Sequence, residues 1–521
     1  MERYFNIAGP CNPREHYMIG AMRRIGNDVF SLIARRQYYV IHAARQSGKT
    51  TLLLELTRII NEEGKYYALY CSLENAQAAP KAEDGIPAII STVQNALKWQ
   101  TMPNWRSFKE DISGQDPFNM LQDAFSGYCG GLDKPLVLFF DEADCLSSQT
   151  LITFLRQLRN GYVNRDNIPF IHSLALVGMR NIRDYRDEYR LPEQTLGSAS
   201  PFNIVKEYMS LRNFTKDEIT ELYRQHTSDT GQVFEEGAVE LSWEETQGQP
   251  WLVNAIACEI VEKITGDDPG KTITADMVST AIQTIILRRD THFDSLMARL
   301  REKRVRRVIE PILIGEMGDI VFDSDDYGYV KDLGLIRDDK GGVEPANPIY
   351  AEIMVRTLNA GIQAEMELRG YSYKMPRYLK DNKIDIDYLL SDFQVFWREN
   401  SGIWKEKFDY KKAAPQLILQ AFFQKVLNGG GQIIREMAAA SGRVDLCVIY
   451  LGKKYPIELK IRYDEKTYAE GLEQTLAYMG ALGCAKGWLV VFDHRKTPAW
   501  EEKLFVRKED ACGKTVMIYG C

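Results

Sequence analysis

The stretch Tyr38-Tyr39-Val40-Ile41-His42-Ala43-Ala44-Arg45-Gln46-Ser47-Gly48-Lys49-Thr50-Thr51-Leu52-Leu53-Leu54 reads as an apolar strand, a loop of small and polar residues, and the opening of a helix. A loop that runs into a helix N-terminus turns backbone N–H groups inward beside the positive end of the helix dipole, which suits a chain of phosphates. Gly48 lets the backbone come close, Lys49 can neutralise β- and γ-phosphates, and the Thr50 hydroxyl can bind Mg²⁺. Ala44, Arg45, Gln46, Ser47, Gly48, Lys49, Thr50 and Thr51 are therefore the expected ATP contacts. Ala43 stands where the usual phosphate-loop pattern has its first glycine.

Further along, Leu136-Val137-Leu138-Phe139-Phe140-Asp141-Glu142 is an apolar strand that ends in two acids. In a parallel sheet it would deliver both carboxylates to the C-terminal edge, where nucleotide sites lie. Asp141 is expected to hold the Mg²⁺ that accompanies ATP, and Glu142 to polarise the attacking water. The strand Ser173–Gly178 leads to Arg180, which would face the γ-phosphate if that strand lies beside the first, and an ordinary surface arginine is the alternative. From Tyr38 to Ala199 such apolar runs alternate with helical stretches, the pattern of an α/β fold built on a parallel sheet.

At 521 residues the chain has room for about three or four domains. We expect a leader and ATPase core over residues 1–200, a helical lid over 201–274, a winged helix over 275–358, a linker over 359–400 and a second α/β unit over 401–521. Within the lid, Thr215 and Glu218 have capping-box spacing. The composition, 45% hydrophobic and 26% charged, is that of a globular protein. No apolar run approaches the ~20 residues of a spanning helix, and the first residues lack the pattern of a signal peptide, so a cytoplasmic protein is expected. Nine scattered cysteines without a CxxC pair point to reduced thiols. Net charge is −7, yet residues 401–521 carry 19 Lys+Arg against 14 Asp+Glu. A mildly basic C-terminal region on an acidic body suits a polyanion partner.

That region holds a second constellation. The strand Gly442–Tyr450 runs through Leu451-Gly452 into Tyr455-Pro456-Ile457-Glu458-Leu459-Lys460-Ile461, so a turn at Gly452 would lay Asp445 beside Glu458 and Lys460. With a period of two, Glu458 and Lys460 share one face and Ile457, Leu459 and Ile461 the other. Two carboxylates and a lysine on one patch can hold Mg²⁺ or Mn²⁺ and stabilise a phosphorus centre under attack. The same residues could also form a cross-strand salt network. His42, His172 and His494 have no partner spacing and read as structural or surface residues.

The first 360 residues resemble AAA-like ATPases of the STAND type, through the leader Arg3–Ile19, the loop His42–Leu53, the strand Leu136–Asp144, Leu176–Arg180 and Gly248-Gln249-Pro250-Trp251. The resemblance implies Gly248 and Pro250 near the nucleotide and Tyr17 against its base, while helix punctuation is the alternative for the glycine and proline. Asp445, Glu458 and Lys460 resemble the PD-(D/E)XK nucleases, and Gln474 with Tyr478 resembles the Q-x-x-x-Y element of their RecB-like members. This second resemblance implies Asp445, Glu458 and the Leu459 carbonyl as metal ligands, Lys460 acting on water or phosphate, and Gln474 and Tyr478 steadying the site. The acid often found on the preceding helix is replaced by Gln416 and Gln420, with Glu436 as a substitute. Together these imply an ATP-regulated, Mg²⁺- or Mn²⁺-dependent nuclease acting on DNA, with self-association open, no membrane partner, and a role in defence or mobile-element biology. The alternative is an ATP-dependent signalling or DNA-binding switch whose C-terminal fold is a silent adaptor.

Overall fold

The computed structural model describes residues 3–521 apart from 27, 78, 110–115, 147, 179–203, 289–290, 314–323, 340–341, 369–374, 382, 406–413, 428–431, 440–441, 463–465 and 494–499. The chain forms two compact units, one of residues 1–294, 321–339 and 346–349, the other of residues 295–320, 340–345 and 350–521.

The first unit is built on five parallel strands, β1 (Tyr38–His42), β2 (Tyr67–Ser72), β3 (Leu136–Asp141), β4 (Ser173–Gly178) and β5 (Val205–Ser210), in the order β2-β3-β4-β1-β5. Strands buried on both faces need apolar residues at every position, which is why β3 and β4 read as unbroken apolar runs. Alternate residues feed two cores. Tyr38, Val40, Leu138, Phe140 and Leu174 pack against α2 (Ala82–Trp99) and α3 (Ser148–Asn164), while Tyr39, Ile41, Val137, Phe139 and Ala175 face α1 (Lys49–Glu63) through Leu52, Leu53, Leu56 and Ile60.

β5 departs from the expectation of an all-helical stretch after Pro201. It is an edge strand whose Lys206 and Glu207 are exposed, so it lacks the apolar run that marks its neighbours. The stretch expected as a helical lid then forms α4 (Lys216–Thr230), α5 (Glu236–Thr246) and α6 (Pro250–Cys258). Thr215 and Glu218 form the full capping box at the start of α4. The leader joins this layer: Phe5, Tyr17 and Ile19 share a core with Phe214, Ile219, Leu222, Tyr223, Val239 and Val253. Residues 275–358, expected as a winged helix, contain helices Ala275–Arg288, Thr291–Arg299, Lys303–Leu313 and Asp325–Asp332 and short strands Ile336–Asp339 and Gly342–Pro345, divided between the two units.

The second unit holds a mixed six-stranded sheet of β6 (Gln432–Ala439), β7 (Gly442–Tyr450), β8 (Lys453–Arg462), β9 (Lys486–Asp493), β10 (Phe505–Ala511) and β11 (Lys514–Gly520), in the order β6-β7-β8-β9-β11-β10. β7 and β8 are joined by the two-residue turn Leu451-Gly452, both at positive φ (46° and 75°), the conformation whose twist matches a tight hairpin. The parallel pair β8 and β9 is linked through α9 (Lys466–Ala481). One face of this sheet packs Leu446, Ile457, Leu459, Val490 and Phe492 against α7 (Ile386–Lys405) and α8 (Ala414–Leu427). Residues 359–400 are thus more than the linker expected from their mixed composition. Leu389, Leu390, Phe393, Phe396 and Trp397 recur at helical spacing and are buried in this core, a pattern that average polarity hides. All nine cysteines are unpaired. Among the described residues no helix is long and apolar enough to cross a membrane.

Candidate nucleotide-binding site

The loop from Ala43 to Gly48 leaves β1 and enters α1 through Gly48, whose φ of 90° makes it a left-handed N-cap that glycine adopts without strain. Lys49 is buried, and its Nζ folds back to donate to the Ala43 and Ala44 carbonyls at 3.0 and 2.9 Å. Burial lowers its proton affinity, while Glu142, Asp144 and Asp141 act against that and favour the charged form. Ser47 Oγ also donates to Ala44 O, at 2.8 Å. Arg45 is exposed, and Gln46 takes a left-handed φ of 56°. Thr51 Oγ1 accepts the Cys11 backbone N–H at 3.0 Å, which ties the leader to α1.

The end of β3 meets this loop. Thr50 Oγ1 donates to Asp141 Oδ2 at 2.7 Å, and the Tyr70 hydroxyl on β2 donates to the same oxygen at 3.2 Å. Asp141 Oδ1 accepts the Glu142 N–H at 3.0 Å. Glu142 itself sits at a strained φ of 54°. Its carboxyl is raised above the ordinary range, first by burial and then by the charge of Asp144, with Lys49 opposing. A group with raised proton affinity beside a cation is suited to taking part in proton movement. β4 does lie next to β1, but Arg180 falls outside the described residues.

The lid residues reach the loop as well. Gln249 Nε2 donates to Gln46 O at 3.4 Å while its Oε1 caps α6 by accepting the Leu252 N–H at 2.7 Å. Gly248 and Pro250 flank it, with Pro250 as the first residue of α6. Tyr17 is 1% exposed and lies in the lid core, with Phe5 at 4.9 Å, His226 at 5.4 Å and the Arg3 guanidinium at 5.0 Å from its ring. Its ring is thus enclosed by protein side chains. His42 is 3.8 Å from Asp332, and a side chain at Gly334 would strike the Ala44 side chain at 2.4 Å.

Sequence reasoning missed Arg24 and Tyr70, and it took Gln249 only as part of the Gly248–Trp251 run without a contact of its own. Arg24 and Gln249 bond backbone carbonyls distant in sequence, and Tyr70 acts through a sheet register that no local spacing shows.

In the second unit the Leu451-Gly452 hairpin pairs Leu446 with Ile457 and brings Asp445 to β8, where its Oδ2 accepts the Leu459 N–H at 2.8 Å. Lys460 Nζ lies 2.7 Å from Glu458 Oε1. Glu458 is almost wholly buried and its Oε2 has no hydrogen-bond partner among the described residues. Burial and the charge of Asp445 push this carboxyl up to about 7, with Lys460 opposing. Two carboxylates with an unsatisfied buried oxygen fit a small hard cation in charge and ligand type, though one Glu458 oxygen is already taken by Lys460. Among the described residues no group of three or more His, Cys, Asp or Glu side chains could hold a metal ion. Gln474 is exposed and Tyr478 half-buried on α9, and the Glu436 side chain lies outside the described residues.

No known protein family and no curated protein matches the sequence. Among solved structures the chain is similar to a Walker-type ATPase of Pyrococcus abyssi, at 15% identity and a TM-score of 0.46 over 67% of this chain and 99% of that one. It is also similar to the RuvB Holliday junction branch migration motor of Thermotoga maritima, at 15% identity and a TM-score of 0.34 over 63% of this chain and 95% of that one. A further likeness is to Cdc6p of Pyrobaculum aerophilum, at 14% identity and a TM-score of 0.34 over 62% of this chain and 88% of that one. The first unit has the parallel sheet, surrounding helices and strand–loop–helix of a P-loop nucleotide-binding fold.

Proposed function

We propose that the first unit binds ATP with Mg²⁺ at the loop between β1 and α1 and hydrolyses it. The observation that carries this reading is the 2.7 Å bond from Thr50 Oγ1 to Asp141 Oδ2, which joins two hard oxygen ligands from positions 91 residues apart. Thr50 and Asp141 would hold the ion, and its chemistry when bound is to draw charge from the phosphate oxygens. Lys49, released from the Ala43 and Ala44 carbonyls, neutralises the β- and γ-phosphates. Glu142 orients the attacking water and takes its proton, a task that its raised proton affinity assists. In titrations with a fluorescent ATP analogue and phosphate-release assays, Lys49→Ala is expected to lose nucleotide and Glu142→Gln to keep it while losing turnover. Normal turnover by Glu142→Gln would remove that residue from the mechanism.

For the whole chain this supports an ATP-dependent switch whose second unit is an adaptor, since Lys460 already neutralises Glu458 within the patch. One observation favours the second reading, a metal-dependent nuclease acting on DNA: Glu458 Oε2 is buried and unsatisfied beside Asp445. There Asp445, Glu458 and the Leu459 carbonyl would hold Mg²⁺ or Mn²⁺, and Lys460 would face the scissile phosphate. Incubation with labelled single- and double-stranded DNA in Mg²⁺ or Mn²⁺ decides between them. Cleavage lost in Asp445→Ala, Glu458→Ala and Lys460→Ala alike establishes the nuclease, and its absence in the wild type leaves the adaptor.

A further inference from the structure

Arg24 ends the short helical turn Ala21–Arg24 and is 4% exposed. Its Nη2 donates to Ser47 O at 2.7 Å and to Arg212 O at 2.6 Å, and its Nε to Arg212 O at 2.8 Å. The guanidinium lies over the Phe214 ring, 4.9 Å from its centroid. Burying an arginine is costly, and the charge of Glu218 offsets part of that cost without a direct bond to Arg24. Burial pushes its pKa down to about 10, which still leaves it charged at neutral pH.

The peptide plane gives this contact a consequence for the loop. Across a trans peptide the carbonyl of one residue and the N–H of the next point in opposite directions. Holding Ser47 O against Arg24 therefore aims the Gly48 N–H away from the guanidinium. Two other loop carbonyls are engaged by donors other than Lys49: Ala44 O accepts from Ser47 Oγ at 2.8 Å, and Gln46 O accepts from Gln249 Nε2 at 3.4 Å. Three oxygens that would repel an anion, those of Ala44, Gln46 and Ser47, are thus engaged by donors that stay in place when Lys49 turns to the phosphates, and N–H groups remain for the anion. Beyond Arg24, the Arg212 guanidinium grips Glu218 through both carboxylate oxygens at 2.6 and 2.8 Å, and Glu218 closes the capping box of α4.

We propose that Arg24 is a positioning residue of the nucleotide site, which sets the Ser47–Gly48 peptide for phosphate binding and links that setting to the base of the lid. The assignment rests on the reading of this loop as an ATP site. Lysine is not an equivalent replacement, because its compact ammonium lacks the planar fork whose Nε and Nη2 together hold Arg212 O while Nη2 also reaches Ser47 O.

The test is titration with a fluorescent ATP analogue, steady-state hydrolysis and thermal melting of the full chain. Arg24→Ala is expected to bind ATP about 10–100-fold more weakly. Its kcat at saturating ATP should stay within about threefold, because Arg24 touches no reacting atom. Added ethylguanidinium should restore binding to Arg24→Ala and ethylammonium should not. A folded Arg24→Ala with wild-type affinity overturns the assignment. Should Arg24→Ala fail to fold, Arg24→Lys decides: weaker ATP binding at a wild-type melting temperature upholds it, and wild-type affinity overturns it. If the wild type itself binds no nucleotide, the ATP reading falls and takes this inference with it, whereas binding by wild type and variants alike removes this inference alone.

Discussion

Gly248 and Phe214 are in backbone contact: the Phe214 N–H donates to Gly248 O at 2.8 Å, and a Cβ at position 248 would sit 1.9 Å from Phe214 O. With φ at 72°, the position admits a glycine for two independent reasons.

Gly248→Ala is accordingly expected to destabilise the lid by about 3 kcal/mol. The measurement is a thermal melt combined with ATP titration, and both should suffer, since Gln249 carries the lid's contact with Gln46. An unchanged melting temperature would mean that the turn relaxes freely.

Thr50→Val keeps the shape of the side chain and removes its hydroxyl. ATP affinity in Mg²⁺ should fall about 10–100-fold, while affinity in EDTA should hardly change. Titrations in the two buffers separate loss of the ion from loss of the loop. Equal losses in both would place Thr50 in loop structure alone.

Glu458 carries a pH signature. Its folded-state pKa of about 7 lies above the ordinary carboxyl value of 4.5, so between those values the folded chain binds more protons than the unfolded one. Stability is therefore expected to fall as pH rises from 4.5 through 7, by up to about 3 kcal/mol, and to level off above. Glu458→Gln should abolish that slope in pH-dependent melts of the second unit's transition. At pH 8, added Mn²⁺ should raise the wild-type transition and leave Glu458→Gln unmoved if the patch takes a cation.

Phe393→Ala tests whether α7 belongs to the core of the second unit. Phe393 is fully buried against Phe422 and Phe492, at centroid distances of 5.4 and 6.2 Å. Its truncation should cost about 3–5 kcal/mol, read by denaturant melts. A flexible connector would lose almost nothing.

The strand–loop–helix around Gly48 was legible because its strand, its glycine and its lysine lie within a dozen residues, and the apolar run into Asp141 was legible because a doubly buried strand must be apolar throughout. The Asp445–Glu458 approach was legible for a similar reason, since one two-residue turn fixes the register. β5 was not, because an edge strand with Lys206 and Glu207 exposed carries no apolar signature. α7 was obscured by the polar residues interleaved with Phe393, Phe396 and Trp397. Arg24 could not be found at all from local pattern, since its partners are the carbonyls of Ser47 and Arg212.

β4 stands between β1 and β3, so the strand that feeds the loop and the strand that carries Asp141 are two ladder steps apart, about 9.6 Å at the usual spacing. The sheet therefore works as a fixed gauge. Neither strand can shift toward the other without breaking the ladders of β4 on both sides, and the span between the Gly48 loop and Asp141 is set by the sheet alone. The spacer strand also ends in Gly178, where a Cβ would stand 2.7 Å from Asp144 Oδ1. Asp144 is the charge that, after burial, raises Glu142. A side chain at 178 would displace that charge and so retune the acid from a neighbouring strand, without a single atom of Glu142 being replaced.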